Sequence, residues 1–240
     1  TLAKWHNFGE ENENARTQFM EDSLFEQLRI DPFYRFVSAK NEKLKPLIDS
    51  LISELESDKT TIVHGDFSPK NIMASMNDDI YILDFEVTHV GNPVFDLAFL
   101  IAHLLCKFFR AEERLQAKLL ANTAATFTRE YQKLRPIDPS LAKHAALIAL
   151  ARVEGKSRLC NAFWAAILSP DRPSETLNCS KNNSFLSITA SIKPILLSTN
   201  RNLFLPVLVP ILFLQFSQFG LDTIHAQNQE LYNLTSAGSE

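Results

Sequence analysis

The chain has 240 residues, 45% of them apolar, and a formal net charge of -4. That supplies a sizeable core for one large domain or two small ones, and without a block of Lys or Arg it lacks the electrostatic footprint of a nucleic-acid binder. The three cysteines, Cys106, Cys160 and Cys179, are scattered and form no C-x-x-C pair. Neither a disulfide framework nor a zinc site is expected, and a reduced, cytoplasmic setting is. The start, Thr1 to His6, is not a signal peptide, since a basic stretch leading into an apolar run is absent.

In chain order, residues 1–29 predict one or two helices, with Phe19, Leu24, Phe25 and Leu28 near helical spacing. Asp31-Pro32 is expected to stop that pattern. Residues 40–56 predict an amphipathic helix carrying Leu44, Leu47, Ile48, Leu51, Ile52 and Leu55 on one face. Thr60 to Val63 reads as a β-branched strand. Ile72 to Ala74 and Ile80 to Leu83 flank Asn77-Asp78-Asp79 and predict a hairpin. The apolar stretch Phe95 to Phe109 predicts a buried helix, shorter than the about 20 residues that span a bilayer. Two more helices follow, over 111–134 and Leu141 to Val153. The hairpin is too small to be stable alone, so the helices at 40–56 and from Phe95 are expected to cover it. After about Ser157 periodicity fades. Leu203 to Phe216 is apolar but carries Pro206 and Pro210, which break a helix twice, so a loosely packed or partly disordered tail is expected there rather than a membrane anchor.

The chemistry concentrates in His64-Gly65-Asp66-Phe67-Ser68-Pro69-Lys70-Asn71 and in Leu83-Asp84-Phe85-Glu86. Asp66 follows a strand and precedes a proline, so its carboxylate sits on a stiff loop where it can orient a hydroxyl toward phosphorus. Asn71 offers a neutral hard oxygen and Asp84 an anionic one, the donors that magnesium prefers. Antiparallel strands turning at Asn77 bring these two together. Each of the three alone would be at home in a turn; the set at this spacing is a phosphoryl-transfer signature.

These residues resemble the catalytic loop and metal motif of the aminoglycoside phosphotransferase and choline kinase family of kinase-like small-molecule phosphotransferases. Gly65 and Glu86 stand where protein kinases carry arginine and glycine. Gly91-Asn92-Pro93-Val94-Phe95-Asp96-Leu97-Ala98 is also similar to the family, as are, less specifically, Leu28 to Pro32 and Ala151 to Ser157. The resemblance implies an α+β, mostly helical fold: a kinase-like C-terminal lobe over 1–157 with a hairpin carrying the site, the N-terminal β lobe missing, and a divergent tail over 158–240. It implies Asp66 as catalytic base, Asn71 and Asp84 as magnesium ligands, Lys70 and Glu86 near the nucleotide phosphates or metal, and His64 as structural support. Asp96 would brace the loop through its backbone, or cap a helix. ATP and Mg2+ are the implied cofactors and a hydroxylated small molecule the partner, with substrate and oligomeric state left open.

The 63 residues before His64 contain no glycine-rich phosphate loop. The chain is therefore expected to begin just after the missing lobe and to transfer phosphate weakly. The alternative is a non-catalytic, truncated relative that acts as a binding module.

Overall fold

The computed structural model describes residues 1–77, 79–111 and 113–154. The expected tail over 158–240, with its apolar run at 203–216, lies outside them. Among the described residues the chain is mostly helical with two small antiparallel sheets, and no helix is long and apolar enough to cross a membrane.

The first helix, α1 (Leu2–Glu11), lies along strand β1 (Thr61–Val63). The Trp5 indole donates to the Ile62 carbonyl at 2.8 Å, and Thr61 Oγ1 donates to the carbonyl of His6. The approach is close enough that a Cβ on Gly9 would stand 2.5 Å from the Ile62 nitrogen. A short helix, α2 (Glu13–Arg16), follows.

The expected stop at Asp31-Pro32 does not occur. Helix α3 (Ser23–Phe25) runs into a π-helical stretch, Glu26–Arg35, and on into α4 (Phe36–Lys40), with Pro32 inside. The wider turn absorbs the proline: the Phe36 N–H reaches back five residues to the Asp31 carbonyl. The Leu28 carbonyl, which Pro32 cannot serve, accepts from the Arg29 guanidinium at 2.9 Å.

Helix α5 (Lys45–Ser57) begins with Pro46 in its first turn, where the missing N–H costs nothing. It buries Ile48, Leu51, Ile52 and Leu55, the apolar face read from the sequence. Helix α6 (Val94–Phe108) is buried along most of its length and packs against α7 (Arg114–Gln132) and α8 (Leu141–Glu154). Phe25, Phe33, Phe95 and Phe99 meet edge-on or stacked at this core. Tyr34, fully buried, shares a 2.7 Å hydrogen bond with His144 Nδ1.

The expected hairpin forms from β2 (Ile72–Ala74) and β3 (Ile80–Ile82), with Ile72 opposite Ile82. A fourth strand, β4 (His89–Gly91), absent from the sequence expectations, pairs with β1; its three residues run straight into Asn92-Pro93 and are too short to show an alternating pattern. The hairpin is not covered by α5 and α6 as expected: Met73, Met76, Ile80 and Tyr81 are exposed. The apolar faces of those helices are taken up by neighbouring helices instead.

Candidate active site

The loop from His64 to Asn71 leaves β1 and enters the hairpin, and its backbone is held from below by α6. Asp96, in the first turn of α6, is 0% exposed. Its Oδ2 accepts the His64 N–H at 2.7 Å and its Oδ1 accepts the Gly65 N–H at 2.9 Å. His6 Nε2 reaches Oδ2 at 3.1 Å, and His6 Nδ1 meets the Tyr131 hydroxyl at 2.7 Å. Burial alone would raise the Asp96 carboxyl. The His6 hydrogen bond and charge, with the loop amides, outweigh it and hold the group below its ordinary value. Asp96 is not the helix cap, a position that Pro93 holds; just before it, the Asn92 side chain accepts the Val94 N–H on Oδ1 at 2.9 Å.

His64 locks the loop to the segment after the hairpin. Its Nδ1 accepts the Asp66 N–H at 3.1 Å, so Nε2 carries the proton and donates to the Leu83 carbonyl at 3.0 Å. Phe85 packs between the His64 ring, 5.1 Å away, and the Trp5 indole, stacked at 5.5 Å.

Asp66 is buried, and its two oxygens face different partners. Oδ1 pairs with the Arg29 guanidinium at 3.0 Å, while Oδ2 accepts from Asn71 Nδ2 at 2.9 Å and pairs with Lys70 Nζ at 2.9 Å. Asn71 also donates to the Asp66 carbonyl at 2.9 Å. The Leu83 N–H donates to the Asn71 carbonyl at 2.9 Å, which carries the hairpin ladder up to the site. Asp84 does not end β3, which stops at Ile82. It lies two residues on, in the left-handed region at φ 68, and its Oδ2 is 3.7 Å from Lys70 Nζ. A non-glycine residue at positive φ is uncommon, with Asp among the better-tolerated types.

Asp66, Lys70, Asn71 and Asp84 are thus gathered at one place, with His64 and Asp96 beneath them. Glu86 is exposed on the turn after Asp84. Ser68 Oγ is buried without a hydrogen-bond partner among the described residues. Among the same residues, no group of three or more His, Cys, Asp or Glu is placed to hold a metal ion.

Three residues of this framework are not legible in the sequence. Arg29, on the π-helical stretch, grips the Gly65 carbonyl through Nε at 2.8 Å as well as Asp66, although 36 residues separate Arg29 from Gly65. Burial draws its guanidinium below the ordinary value and nearby Arg152 adds to this, while Asp66 pulls the other way. His6 and Tyr131 lie 125 positions apart, and nothing in their local sequence pairs them with Asp96.

One buried imidazole predicts a pH dependence. Burial, then the positive charges of Arg152, Lys107, Lys70 and Arg29, push His103 from 6.5 down to about 2. The folded chain therefore stays unprotonated there while the unfolded chain takes up a proton below pH 6.5. Stability is fully kept above 6.5 and lost as pH falls, by about 1.4 kcal/mol per unit at most. His89, lowered by burial, acts in the same direction. Urea midpoints in phosphate-free buffer should fall between pH 7.5 and 5.5, and less so in His103→Phe. An equal drop in both proteins would remove His103 as the cause.

Residues 1–137 match the model of a family described as the phosphotransferase enzyme family. Among curated proteins, none matches the chain.

Proposed function

Because the chain belongs to the phosphotransferase enzyme family, we propose that it moves the γ-phosphoryl group of ATP to a hydroxyl of a small molecule, as the helical lobe of a kinase-like enzyme of the aminoglycoside phosphotransferase type. The observation that carries this reading is the convergence of Asp66 with Asn71, whose Nδ2 donates to its Oδ2 at 2.9 Å, and with Asp84 on the Lys70 ammonium, 2.9 Å from one carboxylate and 3.7 Å from the other.

The donor set fits magnesium. Asp84 would offer it one carboxylate and Asn71 its amide oxygen, the hard oxygen donors that magnesium takes beside substrate phosphates. Bound there, magnesium would neutralise charge developing on the phosphates. Asn71 spends its amide protons on Asp66, which leaves Oδ1 as its ligand atom. Asp66 receives the proton of the acceptor hydroxyl as that oxygen bonds to the γ-phosphorus and the bond to the β,γ-bridging oxygen breaks. Lys70, released from the carboxylates, would turn to a phosphate oxygen, and exposed Glu86 lies near enough in sequence to assist at the metal.

The test is nucleotide-linked stability. Millimolar Mg-ATP should raise the melting temperature of the chain by a few degrees, as expected for ligand well above its dissociation constant, and Asp84→Ala should abolish the shift. A shift that survives in Asp84→Ala would overturn the metal assignment.

A second reading has one observation in its favour: Lys70 pairs with both carboxylates, an arrangement that also suits a non-catalytic binding module. The one glycine before His64, Gly9, is packed against β1 and cannot serve a phosphate loop. Slow but Asp66-dependent phosphate transfer separates the first reading from the second, which allows none.

A further inference from the structure

We infer that the acceptor carries an anionic group, a carboxylate or a phosphate, and that Arg152 and His103 receive it on the Arg29 side of Asp66. This rests on the reading of Asp66 as the group that faces the acceptor hydroxyl.

The two oxygens of Asp66 divide the site. Oδ2 faces Lys70 and Asn71, toward the hairpin and Asp84. Oδ1 faces Arg29, whose guanidinium carbon lies 5.3 Å from the centre of the Phe99 ring. The same ring has the Arg152 guanidinium 5.7 Å from its centre and the His103 imidazole at 5.1 Å. Arg152 also lies over Phe33 at 5.8 Å. One aromatic ring therefore assembles two guanidinium groups and an imidazole beside the Oδ1 face.

The charges in this assembly are unequally matched. Arg29 is compensated by Asp66. Among the described residues Arg152 lies over two rings and no carboxylate pairs with it. His103 Nε2 is buried with no hydrogen-bond partner among the described residues. Arg152 is close enough to Arg29 to depress its proton affinity, and both depress that of His103. A buried polar nitrogen without a partner costs free energy, and a guanidinium with no carboxylate beside it holds an unbalanced charge next to Arg29. An anion between Arg152 and His103 relieves both, and Arg is suited to grip carboxylate or phosphate oxygens in pairs. The magnesium ligands lie on the other oxygen of Asp66, so this anion belongs to the acceptor rather than to the nucleotide.

The experiment uses the full chain and a series with one carbon backbone: glycerol, glycerate and glycerol 3-phosphate, with ethanolamine as the cationic control, measured by calorimetry. At least one anion should bind about tenfold or more tightly than glycerol, as expected for charge-assisted hydrogen bonds; which of the two it is distinguishes carboxylate from phosphate. Arg152→Met should abolish the preference and Arg152→Lys should keep part of it. In the wild-type chain the His103 Nε2 resonance in a long-range nitrogen spectrum should move on titration with the preferred anion. Equal binding of glycerol and both anions, or an anion preference unchanged in a folded Arg152→Met, overturns the inference. The phosphotransferase reading is judged separately: Asp84→Ala should lose the Mg-ATP shift yet keep the anion preference, and Arg152→Met should do the reverse.

Discussion

Replacing Asp96 with alanine should cost about 4 kcal/mol of unfolding free energy, the order found when one member of a buried, hydrogen-bonded charged set is removed. The cost arises in the loop rather than in α6. The His64 and Gly65 N–H groups and His6 Nε2 lose their acceptor together, in a place where Asp96 is 0% exposed. Against a typical total of about 5–15 kcal/mol, such a loss leaves the domain marginal. Urea unfolding is the measurement, and a loss under about 1.5 kcal/mol would show that the brace is dispensable. The wild-type contribution also has a pH window. Because the Asp96 carboxyl is held below its ordinary 3.8, its stabilisation is complete above that pH and disappears as pH falls through the lower native value. Asp96→Ala should therefore flatten the acid limb of the stability curve.

The second large effect is expected from Gly65→Ala. Gly65 stands at φ +75, a conformation that an L side chain adopts only at a cost, and an added Cβ would lie 2.5 Å from the Val87 carbonyl oxygen. That oxygen is backbone in the turn that follows Asp84, so it yields only if the turn moves. Strain and displacement together should remove about 3 kcal/mol. They should also loosen the Asp96 and Arg29 hydrogen bonds to the Gly65 backbone, so the Mg-ATP shift should fall with the stability. Urea midpoint and thermal shift on one preparation check both parts. A loss below about 1 kcal/mol would mean that the turn accommodates the methyl group.

The sequence by itself determined those elements whose signal is local. The apolar spacing of α5 and α6, the β-branched β1 and the turn at Asn77 were readable because each element buries a face or reverses direction through neighbouring residues. His64, Gly65, Asp66, Asn71 and Asp84 were readable as a set because their spacing along one short stretch constrains what they can hold. Only the tertiary structure decided what supports that set. Pro32 sits inside a helix because a π-helical turn and the Arg29 side chain take over hydrogen bonding that the α register would lose. Asp96 is free to turn its oxygens to the loop because the Asn92 side chain takes the Val94 N–H at the helix start. Arg29, His6 and Tyr131 reach the site from remote parts of the chain, as His103 and Arg152 reach the Phe99 ring beside Arg29, and what each does depends on burial and on charges brought together by packing. Spacing along the chain carries no information about either.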